Sequence, residues 1–319
     1  MELRKLRVVA IGRTPPGEVT AWSPEQLVER EVRSWSRLLE QVQPDRPELL
    51  LVPELCDRPG IGLLAPADEF EYYRVRGDRV RTVFADFSTT YECIVGYAAQ
   101  RRSPTGQWFN ALELIEPTGT GGTYNKNHLV IEEAEKGLSY GQDASVLDRP
   151  IGRLAPVICF DLNFQELQDR YAAQHPDIIL FSSAFHGGLQ QADWAFRCRS
   201  YFLSAVYGPN PSELHDPLGG LIASSTNYTP WLSADINLDR VLVHLDGNAD
   251  RLAAAHRAYG RRIRIHDPGR LGVVMLTSED ADLTAPSVAA EFGMELLDEY
   301  LDRSRRHRAD ALGRAALLS

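Results

Sequence analysis

The sequence predicts an α/β protein, and three observations carry that prediction. Residues 49–52 form an apolar run without a polar face between Pro47 and Pro53, as in a strand covered on both sides. Behind Ser23 as N-cap, Pro24 as first helical residue and Gln26 at the capping-box position, Val28, Val32, Trp35, Leu39 and Val42 recur at alternating fours and threes, which specifies an amphipathic helix. Residues 152–166, GRLAPVICFDLNFQE, run apolar and β-compatible to Ile158, break at Cys159, and open a helical pattern at Phe164, with Asn163 and Glu166 at capping-box spacing. A strand that ends in a cysteine and turns into a helix presents its sulfur at the carboxyl edge of a sheet, where α/β folds place ligands.

The remaining elements follow in order. Residues 6–11 read as a first strand, 13–19 with two prolines and a glycine as a loop, and 56–66 as a Gly/Pro-rich loop. Residues 78–87 are helical, and 93–98 with 111–115 form a hairpin around a polar turn at 101–106. Turn signals at 118–122 precede an extended TYNKNHL segment. A strand at 177–181 leads to a helix over 192–205, then to a hairpin of 218–225 with 231–236. An Ala-rich helix spans 249–259, short strands follow at 262–266 and 271–276, and a last helix after Pro286 repeats Val288, Phe292, Leu296 and Tyr300 every four residues. That stripe must be covered, by its own domain or by a second subunit. Without internal repeats or a linker, the expected organisation is one domain over residues 1–285 with a helical extension over 286–319.

Composition narrows the class of function. A chain of 319 residues with 44% hydrophobic residues builds a sizeable core, and a formal net charge of −10 argues against a nucleic-acid partner. No apolar run approaches the roughly 20 residues of a membrane span, and the charged start MELRKLRVVAIGR lacks a cleavage pattern, so the expected location is the cytosol. The four cysteines, Cys56, Cys93, Cys159 and Cys198, show no CxxC pair and are expected as free thiols.

Three residues stand out chemically. Cys159 reads as a nucleophile with the Phe160 N–H as oxyanion donor, or as one more small buried hydrophobe. Glu54, directly after residues 49–52 and Pro53, reads as a partly desolvated general base, or as a strand-terminal acid in an ion pair. Lys126, between polar neighbours in the extended segment, would lower a thiol's pKa and stabilise an oxyanion if delivered to it; most lysines are simply solvated. His186, in a His-Gly-Gly loop after the 177–181 strand, is a candidate substrate contact. No second His or Cys lies at a coordinating spacing from it, so no metal is expected, and no cofactor of another kind is signalled.

In the order Glu54, Lys126, Cys159, the motifs LLLVPE (49–54), YNKNHL (124–129) and ICFDLNFQEL (158–167) resemble those of the nitrilase superfamily of carbon-nitrogen hydrolases. FNALELIEPTG, DIILFSSAF and HDPLGGLIASS extend the similarity over roughly residues 4–280. The resemblance implies a four-layer α-β-β-α sandwich and a Glu-Lys-Cys triad: Glu54 as base, Lys126 as oxyanion donor, Cys159 as nucleophile. It also implies a second glutamate before a glycine, for which Glu135 is the best fit over Glu132 and Glu133, holding Lys126 and positioning water. Relatives place an Arg-Ala repeat and then a glutamate where Phe202 stands here, and several that act on acids carry an arginine near Asn163. The neutral Asn163 predicts no strong requirement for an α-carboxylate there. Phe160-Asp161-Leu162 after the nucleophile matches the amidase and carbamoylase branches rather than the Trp-Glu of nitrile hydrolysers. The expected activity is hydrolysis of a small amide or carbamoyl compound through a thioester, with acyl transfer or a silent ligand sensor as alternatives. The family habit of pairing sandwiches and the terminal stripe suggest a homo-oligomer.

Overall fold

A computed structural model describes residues 4–13, 22–59 and 66–318. Most of the 13–19 and 56–66 loops expected from Gly and Pro lies outside these residues. The backbone forms two compact units, Leu6–Ile236 and Asn237–Ser319 with the first residues of the chain.

The larger unit is a sandwich of two six-stranded sheets. One sheet has the order Trp231–Asn237, Lys5–Ile11, Leu49–Leu51, Ile94–Arg102, Trp108–Glu116, Gly119–Asn125; the other runs Leu221–Ser224, Glu213–His215, Tyr201–Val206, Ile178–Ser183, Gly152–Ile158, Leu147–Arg149. Leu49–Leu51 is parallel to both neighbours, and Ile178–Ser183 is parallel to the strands on either side, so the carboxyl ends of Leu49–Leu51 and Gly152–Ile158 both emerge beside parallel partners. Outside the first sheet, the Pro24–Val42 and Arg79–Tyr91 helices bury Trp35, Leu39, Val42 and Phe84 against Val9, Leu50 and Val95. Outside the second, Gln165–Ala172 and Leu189–Cys198 bury Leu167, Tyr171, Trp194 and Cys198 against Val157, Ile179 and Phe181. Ser182 Oγ, on one sheet, donates to the Val52 carbonyl beside the other at 2.8 Å. The architecture is the α-β-β-α sandwich.

The Ser23 cap forms as expected, with Gln26 N–H donating to Ser23 Oγ at 3.3 Å. Other expectations are corrected. The helix predicted over 192–205 stops at Cys198: Arg199 takes a φ of +57°, and Tyr201–Val206, rich in aromatic and aliphatic side chains, is a strand. Phe202 is therefore a buried core residue of a sheet, not a helix position. The expected hairpin of 218–225 with 231–236 does not form, because Leu221–Ser224 pairs with Glu213–His215 whereas Trp231–Asn237 joins the edge of the opposite sheet beside Lys5–Ile11.

In the smaller unit Arg240–His244, Val273–Ser278 and Ile263–His266 form an antiparallel three-stranded sheet, covered by Ala249–Tyr259 and Ala285–Glu291. Because these strands pair only with one another, the compact boundary falls at 236/237 rather than at 285/286. The terminal stripe is also redistributed. Gly293 (φ +62°) separates Ala285–Glu291 from Leu297–Leu318; Val288 is buried, Phe292 and Leu296 pack on the same core, and Tyr300 stacks on His244 with ring centroids 4.2 Å apart. The stripe is covered within its own unit, so it gives no argument for a homo-oligomer. Among the described residues no helix is long and apolar enough to cross a membrane.

Candidate active site

Two strand ends and one strand-to-helix loop build the site. After Leu49–Leu51 the chain runs through Pro53 to Glu54, and Leu55 turns it with a φ of +49°. The turn is held from outside: the Leu55 carbonyl accepts from Tyr207 OH at 2.9 Å and the Cys56 carbonyl from Trp35 Nε1 at 2.9 Å. At the end of Gly152–Ile158, Cys159 itself takes a φ of +48°, a left-handed conformation that non-glycine residues adopt at a cost of order 1–3 kcal/mol. Asp161 over-determines that turn. Its buried carboxylate accepts from the Ile158 N–H at 3.2 Å, from Tyr124 OH at 2.7 Å and from the His128 N–H at 2.7 Å. The same side chain thus fastens the cysteine turn to the segment on both sides of Lys126.

Asn163 and Glu166 do not make the expected capping box. Phe164 is the N-cap of Gln165–Ala172, and Asn163 Nδ2 turns back to the Phe160 carbonyl at 3.0 Å, because residues 159–163 form a 3₁₀ turn rather than entering the helix directly.

Lys126 follows Gly119–Asn125 and is fully buried. Its Nζ donates to Glu54 Oε1 at 2.8 Å and to Glu133 Oε2 at 2.7 Å. Asn110, buried on the adjacent strand, donates from Nδ2 to Glu54 Oε1 at 2.7 Å and to Glu133 Oε1 at 2.8 Å, bracing the two carboxylates from the other side. Glu133, not Glu135, is therefore the second glutamate. Glu135 ends the short Ile131–Glu135 helix exposed to solvent, whereas Glu133, at the third position of that helix, also accepts from the Val130 N–H at 3.1 Å. That reach back from N3 to the backbone at the start of the helix is the carboxylate half of a capping box, made here without a side-chain acceptor at Val130.

Glu54, Lys126, Glu133 and Cys159 line a cavity of about 250 Å³, with Ala184 and Tyr207 among its other walls. Burial pushes the Cys159 thiol up to about 12, and the neighbouring Glu54 carboxylate adds to the rise; Lys126 and the Ala184 backbone oppose it. Burial alone would lower Lys126, but Glu54, Cys159 and Glu133 outweigh it and hold the ammonium above its ordinary range. A charged lysine and the Glu54 carboxyl group thus sit beside a protonated thiol. The arrangement can relay a proton from sulfur to Glu54 while a fixed cation faces charge developing on a bound substrate.

Phe160 follows the nucleophile position in the 3₁₀ turn. His186 and Asn163 are not brought to the cluster, and neither is among the described residues lining the cavity. Asn163 is exposed, and His186 faces Glu213 at 3.4 Å while its Nδ1 accepts from the Gly188 N–H at 3.1 Å. Among the described residues no group of three His, Cys, Asp or Glu side chains is placed to hold a metal ion. Cys56, Cys93 and Cys198 are buried free thiols. Asp161, Asn110 and Glu133 are what sequence reasoning missed. Asn110 left a trace there, as a polar residue at the head of the apolar Trp108–Glu116 strand.

Known proteins resemble this chain in sequence and in fold. Human omega-amidase NIT2 is 28% identical over 162 residues, which are 46% of this chain and 59% of that protein. The chain thus spans less than two thirds of the length of that relative. Among solved structures, an amidase from Nesterenkonia sp. AN1, as a mutant showing covalent addition of the acetamide moiety of fluoroacetamide at its active-site cysteine, superposes with a TM-score of 0.61 at 18% identity, covering 80% of this chain and 96% of that one. The NitFhit protein of C. elegans superposes with a TM-score of 0.64 at 16% identity over 92% of this chain and 98% of that one. The carbon-nitrogen hydrolase profile matches residues 8–206, a span that holds Glu54, Lys126, Glu133 and Cys159 together with most of both sheets. By that match, the chain belongs to the carbon-nitrogen hydrolase family.

Proposed function

We propose that this protein is an amidase that cleaves the C–N bond of a small amide or carbamoyl compound through a cysteine thioester. The observation that carries the reading is the buried ion pair of Lys126 with Glu54 at 2.8 Å, in the same cavity as Cys159. Cys159 Sγ attacks the carbonyl carbon as its proton passes to Glu54. The oxyanion is received by Lys126 Nζ and the Phe160 N–H. The C–N bond then breaks as Glu54 returns the proton to the leaving nitrogen, releasing ammonia or an amine. Water, deprotonated by Glu54, adds to the thioester; the C–S bond breaks, the acid leaves, and the proton returns to sulfur. Glu133, tied to Lys126 and Asn110, keeps the ammonium aimed. The covalent acetamide adduct described for the Nesterenkonia amidase cysteine supports a nucleophilic role for Cys159. Ammonia release across amides and carbamoyl compounds, with mass spectrometry of the protein after brief exposure to substrate, tests the reading. An acyl adduct on Cys159 with turnover is expected; tight binding without adduct or turnover would overturn it.

With the thiol held up to about 12, sulfur is protonated in the resting enzyme and is activated only as Glu54 accepts its proton. The difference in absorbance at 240 nm between the wild type and Cys159→Ala is expected to stay flat from pH 6 to 9. A thiolate band titrating in that window would show a preformed ion pair instead of a proton relay.

Amides are expected to outrun nitriles of the same carbon skeleton. Lys126 and the Phe160 N–H are suited to an oxyanion, whereas a nitrile presents a nitrogen that must be protonated as charge develops. The expected gap in kcat/KM is at least about two orders of magnitude, roughly 2.7 kcal/mol in barrier. Equal rates on matched pairs would move the protein to the nitrile-hydrolysing branch.

A further inference from the structure

A second cavity, of about 430 Å³, lies along the Pro24–Val42 helix just beyond the Lys5–Ile11 strand, and four arginines line it: Arg13, Arg30, Arg33 and Arg37. None of the four lines the catalytic cavity. Arg30, Arg33 and Arg37, with Ser34, recur at threes and fours and so share one face of the helix. In a chain of formal net charge −10, that concentration of positive charge runs against the whole. Among the described residues only two carboxylates pair with the four guanidiniums. Buried Glu31 serves both Arg13 and Arg30, and exposed Glu29 reaches Arg33 at 3.9 Å. Arg33 and Arg37 alone would be a solvated helix face, but Arg13 and Arg30 are not. The Arg13 side chain is 7% exposed; its Nη1 donates to Glu31 and, at 3.4 Å, to the Cys56 carbonyl, and its guanidinium lies 5.2 Å from the centre of the Trp35 ring. Arg30, 18% exposed, donates through Nη2 to Glu31 at 3.2 Å and to the Pro59 carbonyl at 2.7 Å, while its Nε is buried without a hydrogen-bond partner among the described residues. Two guanidiniums held largely out of water thus share one carboxylate, and a desolvated cation in excess is costly unless an anion completes it.

We infer that this arginine groove is a binding site for an oligophosphate group, carried by a free di- or triphosphate or by a nucleotide, and that it is separate from the centre around Cys159. Guanidinium forks match phosphate oxygens two at a time, with geometry that a lysine cannot supply. From Arg30 to Arg37 the stripe covers seven residues, about 10 Å along the helix axis. A lone carboxylate or orthophosphate meets one or two of these forks, whereas a chain of phosphates carries both the charge and the length to meet several. Arg13 and Arg30 are already fixed by Glu31, Trp35 and Pro59, so little side-chain freedom is lost when a ligand arrives, and the exposed Arg33 and Arg37 are free to close on it. Ser34, between them on the same face, adds a neutral donor. Trp22, 45% exposed with the Arg30 guanidinium 5.4 Å from its ring centre, offers a stacking surface if the phosphates belong to a nucleotide.

Titration calorimetry of the full chain with sodium tripolyphosphate, in magnesium-free buffer, tests this without any need for turnover. One tripolyphosphate is expected to bind per chain, at least about tenfold more tightly than orthophosphate or sulfate, because only the longer anion reaches several forks. Binding should persist at about 0.15 M salt, where attraction between exposed charges more than a Debye length apart is largely screened. Replacing the two exposed arginines together, Arg33→Gln with Arg37→Gln, should weaken it at least about tenfold, and Arg30→Lys, which keeps the charge but removes the fork, should weaken it several-fold. Arg153→Gln, an exposed arginine of the other sheet, should leave it unchanged. Thermal unfolding without ligand checks that each variant is folded, and tripolyphosphate should raise the wild-type melting temperature. ATP separates the two sources. An affinity at or below that of tripolyphosphate upholds the site for a free phosphate chain, and a tighter one that Trp22→Ala returns to the tripolyphosphate value upholds it for a nucleotide. No saturable binding, an equal affinity for sulfate, or a loss in Arg153→Gln as large as in the Arg33 and Arg37 double variant would overturn the site.

Discussion

Cys159→Ala is expected to lower kcat/KM for any amide the protein hydrolyses by at least about 10⁴-fold, roughly 5.4 kcal/mol in barrier, because no thioester can form. No other described thiol can substitute: Cys56, Cys93 and Cys198 are at most 1% exposed, and none lines the cavity. The fold should survive. Alanine tolerates the left-handed turn as poorly as cysteine does, so the strain at residue 159 is unchanged, and the loss of one sulfur from a partly buried site costs no more than about 1 kcal/mol. Asp161, which anchors the turn through Ile158, Tyr124 and His128, is untouched. Initial rates of ammonia release together with a thermal melt within a few degrees of wild type would meet the expectation. Residual activity above a trace in the folded variant would place the nucleophile elsewhere.

How far the sequence disclosed this site depends on how local each determinant is. Glu54 and Cys159 were legible because each ends an apolar run, and the end of a covered strand is written in a few adjacent residues. Lys126 was legible only through its order between them. Glu133 was misread as Glu135 because spacing to a glycine cannot say which face of a five-residue helix meets the lysine; the contact with the Val130 N–H settles that register. Asn110 and Asp161 reach their partners over sequence separations of 23 to 56 residues, which no local pattern encodes. The same limit produced the topological error at residues 218–236. Two neighbouring strands with a turn between them read as a hairpin, yet their partners lie in opposite sheets, and pairing is decided by which edge is open. The terminal stripe shows the converse: its period was right, but a break at Gly293 divides it between two helices, and a small sheet covers it.

Lys126→Met is expected to cost about three orders of magnitude in kcat/KM, roughly 4 kcal/mol, the scale of one preorganised donor facing an oxyanion. Methionine fills the space of the side chain's stem, so the loss is chiefly electrostatic. In the wild type the ammonium separates Glu54 from Glu133, and Asn110 Nδ2 alone holds both once it is gone. A buried and a partly buried carboxylate so close together cannot both stay ionised cheaply without a cation, so the pair should retain a proton that the unfolded chain gives up. The sign follows from linkage. A carboxyl whose folded pKa is raised above its unfolded value stabilises the fold at low pH, and that contribution is lost as pH rises through and above the ordinary carboxylate range. The melting temperature of Lys126→Met should therefore fall further below wild type at pH 8 than at pH 5. Raising the pH should not restore the rate even where the variant remains folded, because deprotonating Glu54 does not replace the ammonium that faces the oxyanion. Thermal unfolding at both pH values and ammonia release from one good amide check this together. A rate within tenfold of wild type would remove Lys126 from the chemistry, and a pH-independent stability gap would show that it does not hold the two carboxylates apart.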